Sequence, residues 1–443
     1  MTISSPLSLR RFTNMTTFTE FSRAAVQLTF MFAVAILLAS ELATAADLTV
    51  ICPNGGPGAY PNLTSALNAI TNNGGPNSIS VSGTCTENIF ILNQSNLNIF
   101  ATPGKSAVII NAANPAQITV QLFGSRIVSF SGLSIQGGAP GVLVNNGSDL
   151  SIANSVIENN AGGGVGAQER SLVDLESCII RNNGGPGLEI GDNSEGILYT
   201  SPGQTVQILN NNGPGVVVDS AGYIQFNFGG HIIEGNAGPA LTSSGGRVVI
   251  FSSTPTIFRN NGGGLDFETG SSAELFGQNT IQNNGPFGVT VEASSVKFHP
   301  LFIDGANTGS TIMGHSGSGI AVSHGGELTL DGSHSVTGNG SLPATNAGGV
   351  RVERSTLTLL NGATVSGNVG IGILGDANSA IVLGPTASTT NNSGTGIRLR
   401  HKSLLGLTAP ISIRGNGNSN IACDYTSLAY GQLGVVSGVQ CPQ

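Results

Sequence analysis

A four-residue phrase recurs along most of this chain and restricts it to a stack of similar units. The phrase is an aliphatic residue, two small or polar residues, and then Asn, followed by a glycine-rich turn. Ile157-Glu158-Asn159-Asn160, Ile180-Arg181-Asn182-Asn183, Ile233-Glu234-Gly235-Asn236, Ile281-Gln282-Asn283-Asn284 and Ile413-Arg414-Gly415-Asn416 are examples. Its last position falls at 138, 160, 183, 212, 236, 261, 284, 315, 339, 368, 392 and 416, so the interval runs from 22 to 31 residues. All but Gly138 and His315 are Asn. A unit this short cannot bury an apolar face alone. Successive units must stack, and the period is that of one coil of a parallel β-solenoid.

The columns of the alignment give each position a role. Three residues before the ladder stand Ile157, Ile180, Leu209, Ile233, Phe258, Ile281, Ile312, Val336, Val365 and Ile413, with Thr389 the one polar member. That column is expected to face the core. Asn tolerates the left-handed backbone of sharp turns, and stacked amides can hydrogen-bond along a ladder. After the turn, Val216/Val218, Leu265/Phe267, Val289/Val291 and Val350/Val352 alternate with polar residues, the pattern of strands with one face buried. A second aliphatic column, Val156, Ile179, Ile208, Ile232 and Ile257, reads as outward: either a docking stripe or a β-branched sheet surface. Pro61 to Ile70 has the pattern of a short amphipathic helix that would cover the first coil. It precedes a strand at Ser78–Val81, and residues after Asn420 lose the repeat and are expected to cap the other end.

The first 45 residues stand apart from this pattern. Arg10, Arg11 and Arg23 lead an uncharged apolar run from Ala24 to Ala39, and Ala43-Thr44-Ala45 follows with small residues. This order is that of a secretory signal peptide cleaved after Ala45, with a membrane anchor as the other reading. No later stretch is apolar enough to span a bilayer. Export makes disulfides available to the five cysteines. Cys52 and Cys85 bracket the first segment of the exported part, and Cys423 and Cys441 the last, so each pair would close one end. Cys178 falls in a column of small or polar residues and is expected to be a buried free thiol. Charged residues are 9% of the chain and the net charge is -8. Nucleic acid is thereby a poor partner, since phosphate binding needs clustered Lys and Arg.

With its helix at 61–70, the strand residues Ser80-Val81-Ser82-Gly83-Thr84 and the Asn ladder, the chain resembles the pectin-lyase-like superfamily over nearly all of residues 47–443. Within it, the similarity is to secreted bacterial right-handed β-helix proteins. The resemblance implies an all-β fold, a single-stranded right-handed parallel β-helix of about a dozen coils with a short N-terminal capping helix. The segments would be 1–45 signal peptide, 46–86 N-terminal cap and first strand, 87–418 repeats and 419–443 C-terminal cap. Enzymes of the superfamily act on acidic polysaccharides, but fold alone does not transfer function. The Asn-Thr-Asp, Asp-Asp, Gly-His-Gly and Arg-Ile-Lys of polygalacturonases are absent, as are the Asp-Pro-His-Asp of alginate epimerases and the clustered Asp set of pectate lyases.

The charges that remain are concentrated on the strand after the turn. Successive coils place Asn145, Gln168, Gly191, Asp219, Ser244, Glu268, Glu292, Ser323, Glu353, Asp376 and Arg400 in one outward column, and Glu189, Asp266, Arg351 and Arg398 in the next. Coils stack roughly 4.8 Å apart, which would make Glu268 and Glu292 adjacent rungs beside Asp266. Asp266, Glu268, Glu292, Arg351 and Glu353 are therefore the candidate catalytic set, offering acid, base and electrophile. Glu268 and Glu292 are equally the candidate calcium ligands, and no other cofactor is indicated. The same residues also fit a solvated face that keeps a glycine-rich rod soluble. Ser323 interrupts the column and divides its glutamates. Extra residues at 187–212, 288–315 and 339–349 mark longer coils, and the insertion at 341–346 leads into Arg351 and Glu353. His315 takes a ladder position. His231 and His334 share a column several coils apart, and no zinc-type spacing exists.

Three functions fit these observations. They are a cell-surface or periplasmic β-helix that binds or scaffolds, a polysaccharide lyase or glycoside hydrolase acting on an extracellular or cell-wall glycan, and an adhesin-like passenger. The partner expected is a polysaccharide or a cell-surface component. The absence of Trp weakens sugar stacking in the first two.

Overall fold

The computed structural model describes residues 45–443 apart from 106–107, 201–203, 304–305, 341–347, 409–410, 434–435 and 443. The signal-peptide reading and the 341–346 insertion therefore lie outside the described residues, save for Ala45. Residues 46–443 form one unit, a right-handed parallel β-helix of about fourteen coils by the stacking of its strands.

A typical coil supplies three short strands, such as Asp149–Ala153, Val156–Glu158 and Val165–Ala167. Each pairs in parallel with its counterpart one coil on: Leu150 with Val173, Ile157 with Ile180, Val165 with Leu188. The strands that follow the ladder turn build a 15-stranded sheet from Ile89–Leu92 to Val439–Gln440. The other two strands of each coil run together into a 27-stranded sheet, because Asn77–Thr86, Arg247–Arg259 and Ser272–Gln282 carry the chain through both positions without a break. Period-2 alternation along these strands turns every second side chain inward, and the inward positions are mostly aliphatic, with Phe130, Phe226, Phe258, Phe267 and Phe298 among them. Leu175, Ile180 and Ile190 of one coil, for instance, are fully buried.

The ends form as the sequence suggests, with different limits. The helix is Leu63–Ala69. Asn62 caps it, its side chain accepting from the Ser65 N–H at 2.8 Å, and Leu63, Ala66 and Leu67 are buried. The Glu87 carboxylate takes the N–H groups of Leu63 and Thr64 at 2.7 and 2.9 Å, which ties the helix to the first coil. The strand after it extends over Asn77–Thr86. Disulfides join Cys52 to Cys85 and Cys423 to Cys441, and Cys178 is a buried free thiol. Stacking does not stop at Asn420. Ile421–Cys423 pairs with Ile397–Leu399, and Leu428–Gly431 with Leu404–Leu407, so the C-terminal segment is a last coil pinned by its disulfide.

The ladder forms, but its register differs at one coil. Asn160, Asn183, Asn211, Asn236, Asn261 and Asn284 stack in order, each Nδ2 donating to the next Oδ1 at 2.9 Å. The rung is thus Asn211 rather than Asn212. Ile208, two residues from buried Val206, is the fully buried member, and Leu209 faces outward opposite Arg181. Three consecutive asparagines at 210–212 satisfied the phrase in either frame, and the inward alternation of Val206 and Ile208 chose one. The outward column is accordingly Val156, Ile179, Gln207, Ile232 and Ile257, broken by an amide and half-buried. The division of labour also differs from the expectation. The left-handed residue is the one before the rung, Asn159, Asn182, Asn210, Gly235 or Asn260, with φ between 53° and 69°. The rung itself is left free to direct its amide at its neighbours.

Candidate functional site

The outer face of the 15-stranded sheet carries the candidate residues, and the register fixes their spacing. Leu265 and Phe267 point inward, as do Val289 and Val291, so Asp266, Glu268, Thr290 and Glu292 must point out. Asp266 is paired with Thr290, Thr290 with Ala321, and Ala321 with Arg351. One column over, Glu292 pairs with Ser323 and Ser323 with Glu353. These side chains line one open groove of about 440 Å³, which includes Asp266, Glu268, Glu292, Arg351 and Glu353 together. Phe287, Pro286 and Pro239 give it an apolar wall. Glycines at 262–264 let the coils approach closely there: a Cβ on Gly264 would collide with the Gly288 carbonyl.

The gap that Ser323 leaves is closed by a residue the sequence reading passed over. His324 follows Ser323 in a left-handed conformation (φ 52°) and its Nδ1 lies 3.1 Å from Glu292 Oε1. Its Nε2 lies 3.4 Å from an Arg354 Nη2, and the same guanidinium is 3.3 Å from Glu353 Oε1. Arg351 holds the other Glu353 oxygen at 2.9 Å. A chain of polar contacts therefore runs from Glu292 through His324, Arg354 and Glu353 to Arg351. His324 was visible in the sequence only as part of His324-Gly325-Gly326. The turn geometry that swings it back over the groove was not.

At the other end of the groove the carboxylates are less well paired. Thr290 Oγ1 donates to Asp266 Oδ1. Glu268 has neither a side-chain hydrogen bond nor an ion pair among the described residues. The negative charge of Asp266 holds its carboxyl above the ordinary glutamate range, with partial burial and Glu292 adding to the effect. Chemically, the groove offers a proton donor that ionises reluctantly beside a carboxylate tied to an imidazole. Asp266, Glu268 and Glu292 could also supply oxygen ligands to a hard cation such as calcium.

Outside the groove, the sequence reading missed Asp174. It projects from Leu172–Glu176 in the larger sheet, in register with Ser151 and Ile197. Its Oδ1 is buried without a partner among the described residues. Burial, reinforced by Glu195 and Asp149, pushes its pKa up to about 6. The alternation of Val173 and Leu175 marks Asp174 as outward, but only the stacked neighbours make that outward position half-buried.

The histidines in the core have structural roles. His334 Nδ1 accepts from the Ser310 N–H at 2.9 Å, and His231 lies edge-on to Phe226 at 5.5 Å between centroids. Burial lowers the pKa of each to about 4. His315 occupies its ladder position with both ring nitrogens against backbone carbonyls, those of Asn284 and Ile281. Cys178 is raised to about 11 by burial, which makes it an inert thiol.

Residues 99–261 match the family model described as the right handed beta helix region. No curated protein matches the chain in sequence. Among solved structures, the A-module of the Azotobacter vinelandii mannuronan C-5 epimerase AlgE6 is similar at 14% identity and a TM-score of 0.38, over 83% of this chain and 93% of that one. Pectate lyase Pel9A is similar at 13% and 0.31, over 88% and 82%. The Dettilon tailspike protein is similar at 12% and 0.39, over 85% and 70%. Together with the stacked parallel strands, the matched region makes the fold a right-handed parallel β-helix.

Proposed function

We propose that this right-handed β-helix protein is exported and binds a neutral glycan in the groove over its 15-stranded sheet. The observation that carries the reading is the convergence of Asp266, Glu268, Glu292, His324, Arg351 and Glu353, from successive coils, around one groove with Phe287 in its wall. Sugar hydroxyls are donors and acceptors at once, and a row of carboxylates with an interspersed guanidinium matches that chemistry. An aromatic wall supplies apolar contact without tryptophan. The groove lining holds four carboxylates against one arginine, so a bare polyuronate would be repelled. The two disulfides fit an oxidising compartment, and among the described residues no helix is long and apolar enough to cross a membrane.

A second reading is favoured by one specific feature: Glu268 ionises reluctantly and stands next to Glu292 on the adjacent rung. Neighbouring carboxylates at roughly 5 Å are the arrangement of retaining glycoside cleavage, with Glu268 as acid and Glu292 as nucleophile. Calcium would instead suit the same pair as ligands, and would convert the groove into one that accepts an acidic chain.

One experiment separates these. Calorimetric titration of the purified protein with neutral mannan, glucan, galactan and xylan oligosaccharides and with polyuronates, each with calcium and with a chelator, is followed by product analysis. Binding of a neutral glycan that is lost in Glu268→Gln and Glu292→Gln at unchanged melting temperature supports the first reading. Release of shortened products would establish the second. Binding that both variants retain, or no binding at all, overturns the assignment of the groove.

A further inference from the structure

The groove is not the only feature on the outer face of the 15-stranded sheet. At its N-terminal end the same face is apolar and open. Phe90 and Leu92 are 52 and 45% exposed. Phe90 and Phe123 lie 6.4 Å apart between ring centroids and tilt toward one another at 46°. A depression of about 510 Å³ runs beside Phe90, lined by Ile118, Gln117, Gln121 and Asn88 and by no charged residue. Asn88 is committed to the loop beside it, donating to the Asn114 and Ile118 carbonyls. Gln121 is committed to nothing: its side-chain amide has no hydrogen-bond partner among the described residues, and the register sets it between Phe90 and Leu143.

This patch is continuous with the groove along a single column of the sheet. Phe90, Gln121, Leu143, Gly166, Glu189, Val217, Thr242 and Asp266 follow one another rung by rung. Seven steps separate Phe90 from Asp266, about 34 Å at the spacing of stacked strands. An exported β-helix leaving aromatic and aliphatic side chains bare at one end of a sheet calls for an occupant. Exposed rings with an uncommitted amide and no charge suit a neutral, partly apolar, hydroxyl-rich ligand rather than an ionic one.

We propose that the Phe90–Phe123–Gln121 patch is a second subsite for the same neutral glycan, so that one extended chain lies along the sheet and engages both ends. The proposal rests on the reading of the groove as a glycan site. Two subsites on one rigid rod convert the second contact into an intramolecular one. A chain long enough to reach both would bind about a hundredfold more tightly than one that fills the groove alone.

The test compares neutral mannan, glucan, galactan and xylan in two lengths, oligomers too short to span the two sites and polymers that reach both. Titrations use the wild type, a Phe90→Ala/Gln121→Ala double variant and the groove variant Glu268→Gln. The double variant should lower polymer affinity to that of the short oligomer and leave the short oligomer unchanged. The groove variant should weaken both. Phe90→Tyr, which keeps the ring, should bind the polymer as the wild type does. Phe90 is exposed, so its truncation does not threaten the core, and an unchanged melting curve checks this. Equal polymer affinity in the wild type and the double variant would overturn the second subsite and leave the groove reading standing. Absence of binding to any probe at either length would overturn both.

Discussion

His324 Nδ1 lies 3.1 Å from Glu292 Oε1, reaching back one coil across the gap that Ser323 opens in the column of glutamates. The contact turns two separate groups of charge into one row. Both side chains are about half exposed, so it contributes little to stability.

That exposure separates binding from folding in this region. His324→Ala and Glu292→Gln are each expected to change unfolding free energy by less than about 0.5 kcal/mol, as for surface substitutions generally. Both should nonetheless weaken glycan binding severalfold, measured by titration. A fall in stability with unchanged binding would mean the row serves only the fold.

The corrected ladder register makes a paired prediction. Asn236 accepts from both the N–H and the Nδ2 of Asn211 and donates to the Ile208 carbonyl and to Asn261, all buried. Asn236→Ala strands several buried polar groups, each worth about 1–3 kcal/mol, and should destabilise by roughly 3 kcal/mol or more. Asn211→Ala should behave in the same way, while exposed Asn212→Ala should be near neutral. Urea denaturation of the three variants decides between the two frames.

Buried histidines set an acid limit. The pKa of His334 is about 4 in the folded protein, against about 6.5 unfolded. Between those values the unfolded chain binds the extra proton, so stability falls as pH drops through 6.5 and levels off below 4. His334 alone should account for about 3 kcal/mol over that window. His334→Gln, compared with the wild type in urea midpoints from pH 7 to pH 4, should lose that part of the slope. Parallel curves would refute the assignment.

Asp174 works in the opposite direction. Its folded pKa of about 6 lies above that of an unfolded aspartate, so the folded state binds the extra proton and this residue's contribution improves as pH falls through 6. Because the side chain is only half-buried, the gain from Asp174→Asn at pH 7 is discounted to about 1 kcal/mol. The gain should vanish by pH 4 in the same urea series. A variant no more stable than the wild type at pH 7 would show that the carboxylate is well solvated.

The sequence by itself determined the solenoid, because a short apolar period with Asn before each turn has no other way to bury its aliphatics. It also determined the two disulfide pairs and the outward placement of Asp266, Glu268, Glu292, Arg351 and Glu353, since strand alternation follows from residue order alone. Tertiary structure decided what depends on neighbours distant in the chain. Asn210-Asn211-Asn212 fits two frames until the coil below presents Ile180 to Ile208. His324 joins the site only because a left-handed turn folds it over the preceding rung. Asp174 acquires its shifted proton affinity from burial by the stacked coils and from Glu195 and Asp149. Periodicity is a local property and is written in the chain. Burial, electrostatic coupling and the path of a turn are set by the stack, which exists only once the coils have been laid on one another.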